Sequence, residues 1–145
     1  MQISSRFTIA VHVLVCIETF KNDRKVTSEL LASSVNVNAV VIRRLLQQLK
    51  AAGIVNVARG SGGAEMAKPL EDITLLDIYN AVECVECGSL FHFHENPNAL
   101  CPVGRNIHAV MDTRLDKIQN AMENEMKSVT IADIMSDAEK IIGSE

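Results

Sequence analysis

Thr27 to Ala67, TSELLASSVNVNAVVIRRLLQQLKAAGIVNVARGSGGAEMA, reads as helix, tight turn, helix and glycine-rich hairpin. Thr27 suits the N-cap of a short helix running to Ser34, because its hydroxyl can accept an orphan backbone N–H. Val35-Asn36-Val37 turns the chain. Asn38 then caps a second helix, Ala39 to Ala52, which Gly53 closes as a C′ residue. Ile42, Leu45, Leu46 and Leu49 fall at i, i+3, i+4 and i+7, so one face of this helix is core. The other face carries Arg43, Arg44, Gln47, Gln48 and Lys50. Arginine and glutamine can make bidentate contacts to base edges in a major groove, and helix N-termini approach phosphates.

Ile54 to Ala58 alternates like a strand, Arg59-Gly60-Ser61-Gly62-Gly63 turns, and Ala64 to Ala67 returns. The glycines permit positive φ and leave the tip without bulk. Arg59 at such a tip can lie along a phosphate backbone or enter a minor groove. Helix–turn–helix followed by a hairpin is a winged helix. The residues expected to touch double-stranded DNA are Thr27, Ser28, Asn36, Asn38, Val40, Arg43, Arg44, Gln47, Arg59 and Ser61. Each part has a plainer explanation, since helix pairs precede hairpins in many small domains and a basic helix face is often only solvated. The order of all three with arginine on both helix and tip is much rarer.

The whole chain of 145 residues carries a net charge of −4, but the charge is divided. Residues 1–70 hold nine Lys/Arg against four acids, a balance of +5, and residues 71–145 hold five against fourteen, a balance of −9. A basic half joined to an acidic half fits a nucleic-acid face on a protein that is otherwise acidic. With 48% apolar and 3% aromatic residues, the core is aliphatic. Phe7 to Ile17 is apolar but has helical spacing, holds His12 and lacks a small-residue cleavage site. No apolar run is long enough for a membrane span. The expected location is the cytoplasm, where cysteines are usually reduced, metal-bound or redox-active.

Outside the central stretch, Ser4 or Ser5 caps a helix to about Phe20, with Ala10, Val13, Leu14, Ile17 and Phe20 on one face and Cys16 beside it as a small buried filler. Lys21 to Lys25 is a polar loop that either meets phosphate or is simply solvated. Thr74 caps a helix to about Cys84, and residues 84–103 form a cysteine-containing loop in which Phe91-His92-Phe93-His94 alternates like a short extended piece. From Gly104 to Lys127 runs the longest helical pattern, with Ile107, Met111, Leu115, Ile118, Met122 and Met126 every three or four residues. That stripe needs a cover. A second copy of the chain supplies one in a two-fold homodimer, with Ile107, Met111, Leu115, Ile118 and Met122 at its interface; packing on the first helix of the same chain is the other way to cover it. Thr130 or Asp133 starts a last helix. The fold class is mainly α with a small β-hairpin. Residues 1–83 form a winged helix-turn-helix domain, 84–103 a sensor loop, and 104–145 a long dimerisation helix followed by a C-terminal helix.

The chain resembles the Rrf-type winged-helix regulators, which include the bacterial iron–sulfur cluster regulator and the cysteine-metabolism repressor. Ser5-Arg6-Phe7-Thr8-Ile9-Ala10-Val11-His12, Leu45 to Gly53, the wing Arg59 to Gly63, and Pro69 to Ile78 carry the likeness. Residues 91–104, FHFHENPNALCPVG, are similar to the YwnA-like branch of that family. The resemblance implies a dimeric transcription factor, usually a repressor, with the long helix at the dimer interface. Some members hold an iron–sulfur cluster through three cysteines before that helix. Here Cys84, Cys87 and Cys101 stand there, with two and then thirteen residues between them, whereas those members space theirs more evenly.

Three readings of this loop stay open. Cys84 and Cys87 at chelating spacing, completed by Cys101 and a histidine from His92 or His94, would suit zinc or a cluster and a metal-responsive regulator. Alternatively Cys101 is a thiol that senses a small oxidant or electrophile, with no cofactor. Pro102 suits the first helical position, which puts Cys101 at an N-cap facing unpaired N–H groups, with Arg105 and His94 as further positive charge. Cys84 and Cys87 of either subunit are candidate disulfide partners. The third reading makes the cysteines fillers. An enzyme is the remaining class: a CxxC oxidoreductase needs its pair to open a helix in a βαβ setting, whereas Cys84 here ends one. No nucleotide loop, Ser/His/Asp order or carboxylate pair is present, so a regulator rather than an enzyme is expected.

Overall fold

A computed structural model describes residues 4–60, 62–83 and 89–145. Local capping fixes most helix starts. In α1, Ser5–Phe20, the Ser4 hydroxyl accepts the Arg6 N–H at 3.2 Å. In α2, Ser28–Val35, Thr27 Oγ1 accepts the Leu30 N–H. Asn36 ends α2 in the left-handed region at φ 63°, which a short polar side chain tolerates, and its N–H closes on the Ala32 carbonyl. In α3, Ala39–Ala51, Asn38 Oδ1 accepts the Val40 N–H at 2.9 Å. The wing is β1, Val55–Val57, antiparallel to β2, Ala64–Met66, with Val55 opposite Met66 and Val57 opposite Ala64. It is stitched to the head where the Ala64 N–H meets the Val26 carbonyl at 2.9 Å. Gly63 allows this approach: its φ is +82°, and a Cβ there would lie 3.1 Å from the Val26 backbone.

A 3-10 turn at Leu70–Asp72 leads to α4, Leu75–Val82, and then come α5, Pro102–Ser128, and α6, Ile131–Ile142. The starts of α4 and α6 use the same device side by side. Thr74 with Asp77, and Thr130 with Asp133, are reciprocal capping boxes. The two cap residues form an antiparallel bridge, with Leu75 N–H to Val129 O at 2.9 Å and Ile131 N–H to Ile73 O at 2.8 Å.

The core is one aliphatic cluster that draws on α1, α2, α3, the wing, α4 and α6; Leu14, Ile17, Leu31, Ile42, Leu49, Ile78 and Ile131 are sealed in it. Cys16 is buried there as expected, its Sγ 3.2 Å from Ser34 Oγ. At 27 residues α5 is about 40 Å long, and no residue of it is buried. It packs on α4 rather than covering its stripe with α1, which instead takes α6. Boundaries move by a residue or two: α3 stops at Ala51, α4 at Val82, and α5 begins at Pro102 rather than Gly104 and ends at Ser128 rather than Lys127. Residues 91–94 are not a strand, because alternation makes no ladder without a partner edge. Phe93 instead lies against His108 of α5, ring centroids 3.9 Å apart, and the Leu90 N–H reaches Gln119 Oε1.

Candidate nucleic-acid interface

Burying Ile42, Leu45, Leu46 and Leu49 turns Arg43, Arg44, Gln47 and Lys50 of α3 outward, all exposed. Thr27, Ser28 and Glu29 at the start of α2, Arg43 and Gln47 of α3, and Gly60 of the wing line one open cleft of about 230 Å³. Sequence-distant parts of the expected site therefore share a surface. Glu29 joins two of these parts. Arg43 Nη2 donates to Glu29 Oε1 at 2.8 Å, and the Ser28 hydroxyl donates to Oε2 at 3.2 Å. The Glu29 backbone N–H first, then Arg43 and Ser28, hold this carboxyl below its ordinary range. Glu29 was not among the expected contact residues. Its only sequence signal is an acid in the first turn of α2, which is also what a helix dipole favours.

The other expected residues divide by what they already bond. The Thr27 and Asn38 side chains serve as caps. Val40 is 55% exposed on the outer face of α3. Asn36 and Arg44 are exposed beside it, and Arg59 is exposed on the wing. Ser61 lies outside the described residues. Gln48 departs from expectation: it is half-buried, and its Oε1 is enclosed without a hydrogen-bond partner, so it belongs to the edge of the apolar face and not to the outer one. Behind the wing a second cleft of about 420 Å³ is lined by Lys21, Arg24 and Lys25 together with Gly62, Gly63 and Glu65. The Arg24 guanidinium stands over the Phe20 ring at 5.6 Å, and Lys21 pairs with Glu18. Asp23 and Glu65 share this cleft, so it carries charges of both signs.

At the far end, Cys101 is the N-cap of α5 with Pro102 in the first turn. The thiol makes no cap hydrogen bond, yet the backbone N–H groups of Gly104 and then Val103 face it and hold its pKa below the ordinary thiol value. Those amides, and not Arg105 or His94, are the cause. The loop is tied to the helix by Cys101 N–H to Asn98 O at 3.1 Å, and Gly104 makes room for it: a Cβ there would fall 2.4 Å from Asn98 O.

Of the stripe, Ile107, Met111, Leu115 and Met122 are half-buried, while Ile118 is 53% exposed. The more open apolar positions are Val103 at 68% and Val110 at 58%, seven residues apart on the flank of that stripe. An i, i+7 count from Val103 finds them, and the i+3 step from Ile107 reaches Val110; only the i+4 step from Ile107 to Met111 passes over them. Among the described residues no three His, Cys, Asp or Glu side chains are placed to hold a metal ion; Cys84 and Cys87 lie outside those residues. No helix among the described residues is long and apolar enough to cross a membrane.

This geometry has close counterparts. The chain is 43% identical over 134 residues to YwnA of Bacillus subtilis, an HTH-type transcriptional regulator by name, covering 92% of this chain and 97% of that one. A crystal structure described as that of a DNA binding protein superposes with a TM-score of 0.73 at 39% identity, over 90% of this chain and 99% of the other. CymR, described as the global cysteine regulator of B. subtilis, shares the fold, with a TM-score of 0.69 at 20% identity over 94% and 97% of the two chains. The relatives are named as regulators and not as enzymes. A family model described as an iron-dependent transcriptional regulator matches residues 3–137. The chain thus belongs to the Rrf2 family of transcriptional regulators.

Proposed function

We propose that the protein is a cytoplasmic, homodimeric repressor that reads a palindromic DNA site with α3 in the major groove and Arg59 on the phosphate backbone, and that modification of Cys101 releases it. The observation that supports DNA reading most is the shared cleft of α2, α3 and wing, in which Arg43 and Gln47 stand exposed on a buried apolar support. In this reading Thr27, Ser28 and Asn38 bring two helix N-termini toward phosphates, Asn36 meets the backbone from the turn between the helices, and Val40, Arg43, Arg44 and Gln47 meet base edges. The test separates the two kinds of contact. Arg43→Ala or Arg44→Ala is expected to weaken the preferred site by about 1–3 kcal/mol and relax its sequence preference. Arg59→Ala is expected to weaken all duplexes evenly and reduce the salt slope by about one. Unchanged affinity in all three variants would remove the reading.

For the signal we take Cys101 as a thiol sensor, supported by its place at the N-cap of α5 with the Gly104 and Val103 N–H groups facing it; a metal site through Cys84 and Cys87 is the alternative reading. The chemistry is that of a thiolate. Attack on a hydroperoxide forms a sulfur–oxygen bond, breaks the O–O bond and expels alkoxide, leaving a sulfenic acid; addition to an electron-poor C=C forms a sulfur–carbon bond, breaks the π bond and moves its electron pair to the neighbouring carbon, which takes a proton from water, leaving a thioether. Because the pKa is lowered in the fold, the thiolate persists to a lower pH than in a free thiol, and reactivity is lost only as pH falls through that lowered value. Alkylation of the intact protein should therefore show a pH midpoint below that of free cysteine, and of the same chain unfolded in denaturant. Equal midpoints, or a Cys101→Ser protein still released from DNA by oxidant, would make Cys101 a structural N-cap.

A further inference from the structure

Glu29 has no obvious place on a surface meant for DNA. It is an exposed carboxylate on the wall of the cleft, where it repels phosphate, and it stands directly against an arginine expected to read bases. A purely solvated acid would be free to swing away. This one is held at both oxygens: Ser28 donates to Oε2 from the same helix, and Arg43 donates to Oε1 from the next helix, fourteen residues on.

An arginine has five N–H donors in a rigid fork, and the bond to Glu29 uses only one end of it. The rest of the guanidinium remains available for the two parallel bonds that a guanine O6 and N7 accept. A long side chain left free must be ordered when it meets a base, and it can also slide to a nearby phosphate, which carries no sequence information. A carboxylate bonded to one edge of the fork limits both losses. It fixes the plane of the guanidinium before DNA arrives, and its charge disfavours an escape toward phosphate.

We infer that Glu29 is a specificity-determining positioning residue, which with Ser28 braces Arg43 so that the free edge of its guanidinium selects a guanine. This rests on the reading of α3 as the base-contacting helix. It adds a distinct consequence: losing Glu29 should raise general affinity for DNA while lowering discrimination at one base pair. A merely structural ion pair would leave discrimination unchanged, so the loss of preference at one base pair is the deciding readout.

The experiment is selection from a random double-stranded DNA pool by the intact protein, followed by binding titrations on the selected duplex and on a scrambled one. Wild-type, Glu29→Gln, Glu29→Asp, Arg43→Ala and the double variant Glu29→Gln/Arg43→Ala are compared. Wild type is expected to select a motif with a guanine in each half-site that Arg43→Ala no longer prefers. Glu29→Gln should become degenerate at that base pair only, losing roughly tenfold of its discrimination there, and should bind the scrambled duplex as well as wild type or better. Glu29→Asp keeps the charge at shorter reach and should recover part of the preference. In the Arg43→Ala background, Glu29→Gln should change discrimination no further. The inference is overturned if Glu29→Gln, with an unchanged melting temperature, keeps the full preference or sharpens it, the latter showing that Glu29 masks Arg43. A wild-type protein that selects no motif at all would instead overturn the DNA reading itself, a separate outcome.

Discussion

Replacing Ile118 with glutamate is expected to split the protein into monomers and weaken binding to a palindromic site by about 100- to 10,000-fold, with the head still folded. The 27 residues of α5 hold no buried side chain, although apolar groups recur along one side of it. Ile118 lies midway along the helix at 53% exposure, with Val110 two turns before it at 58%. Within one chain their exposure leaves apolar area in water, and a second α5 crossing the first would cover it at roughly 25 cal/mol per Å². A charge there must be desolvated if the dimer forms, so it opposes association directly. Loss of the partner turns one bivalent encounter into two independent ones, and avidity of that kind is worth the stated factor. Ile118 is a cleaner site than Leu115, which is half-buried against residues 89–93 and α5 itself. Sedimentation at micromolar concentration gives the state, and far-ultraviolet circular dichroism shows whether the head survives. A variant that remains a dimer with unchanged affinity would move the interface elsewhere.

Ile131→Ala is expected to destabilise the fold by about 2–5 kcal/mol. Ile131 is fully buried beneath the paired capping boxes, and its N–H holds the Ile73 carbonyl. The lost side chain leaves a cavity among residues that are pinned by the Thr74–Thr130 bridge and so cannot easily close on it. For a chain of this size each kcal/mol should lower the melting temperature by about 2–4 °C. Because α6 packs on α1, the variant should also loosen the head, and hydrogen exchange in α1 should rise with it. A melting temperature within a degree of wild type would mean that α6 contributes little to the core.

How much of this was legible follows from the range of each interaction. The caps at Thr27, Asn38, Thr74 and Thr130, and proline after Cys101, involve residues no more than three apart, so the sequence shows them, with only Thr130 and Asp133 left to choose between. The two faces of α3 are likewise local, because helical period alone separates Leu45 and Leu49 from Arg43 and Gln47. Gln48 was misplaced because it sits at the border of the apolar arc, where burial depends on what packs alongside. The alternation at Phe91 to His94 promised a strand, but only a neighbouring edge can make one. The return of α6 to the core and the brace of Arg43 by Glu29 join residues far apart in sequence, and no periodicity records such a meeting. Cys101 is an intermediate case: the Cys-Pro pair marks the N-cap, while the identity of the amides that lower its pKa needed the geometry.

The most direct test of a two-fold regulator reading DNA through α3 and wing is a hydroxyl-radical footprint on the duplex that the wild-type protein selects. Two protected patches are expected on one face of the DNA, related by two-fold symmetry, with centres about 34–36 Å apart or a multiple of that. A single patch without a symmetric mate, or uniform protection along the duplex, would contradict the account.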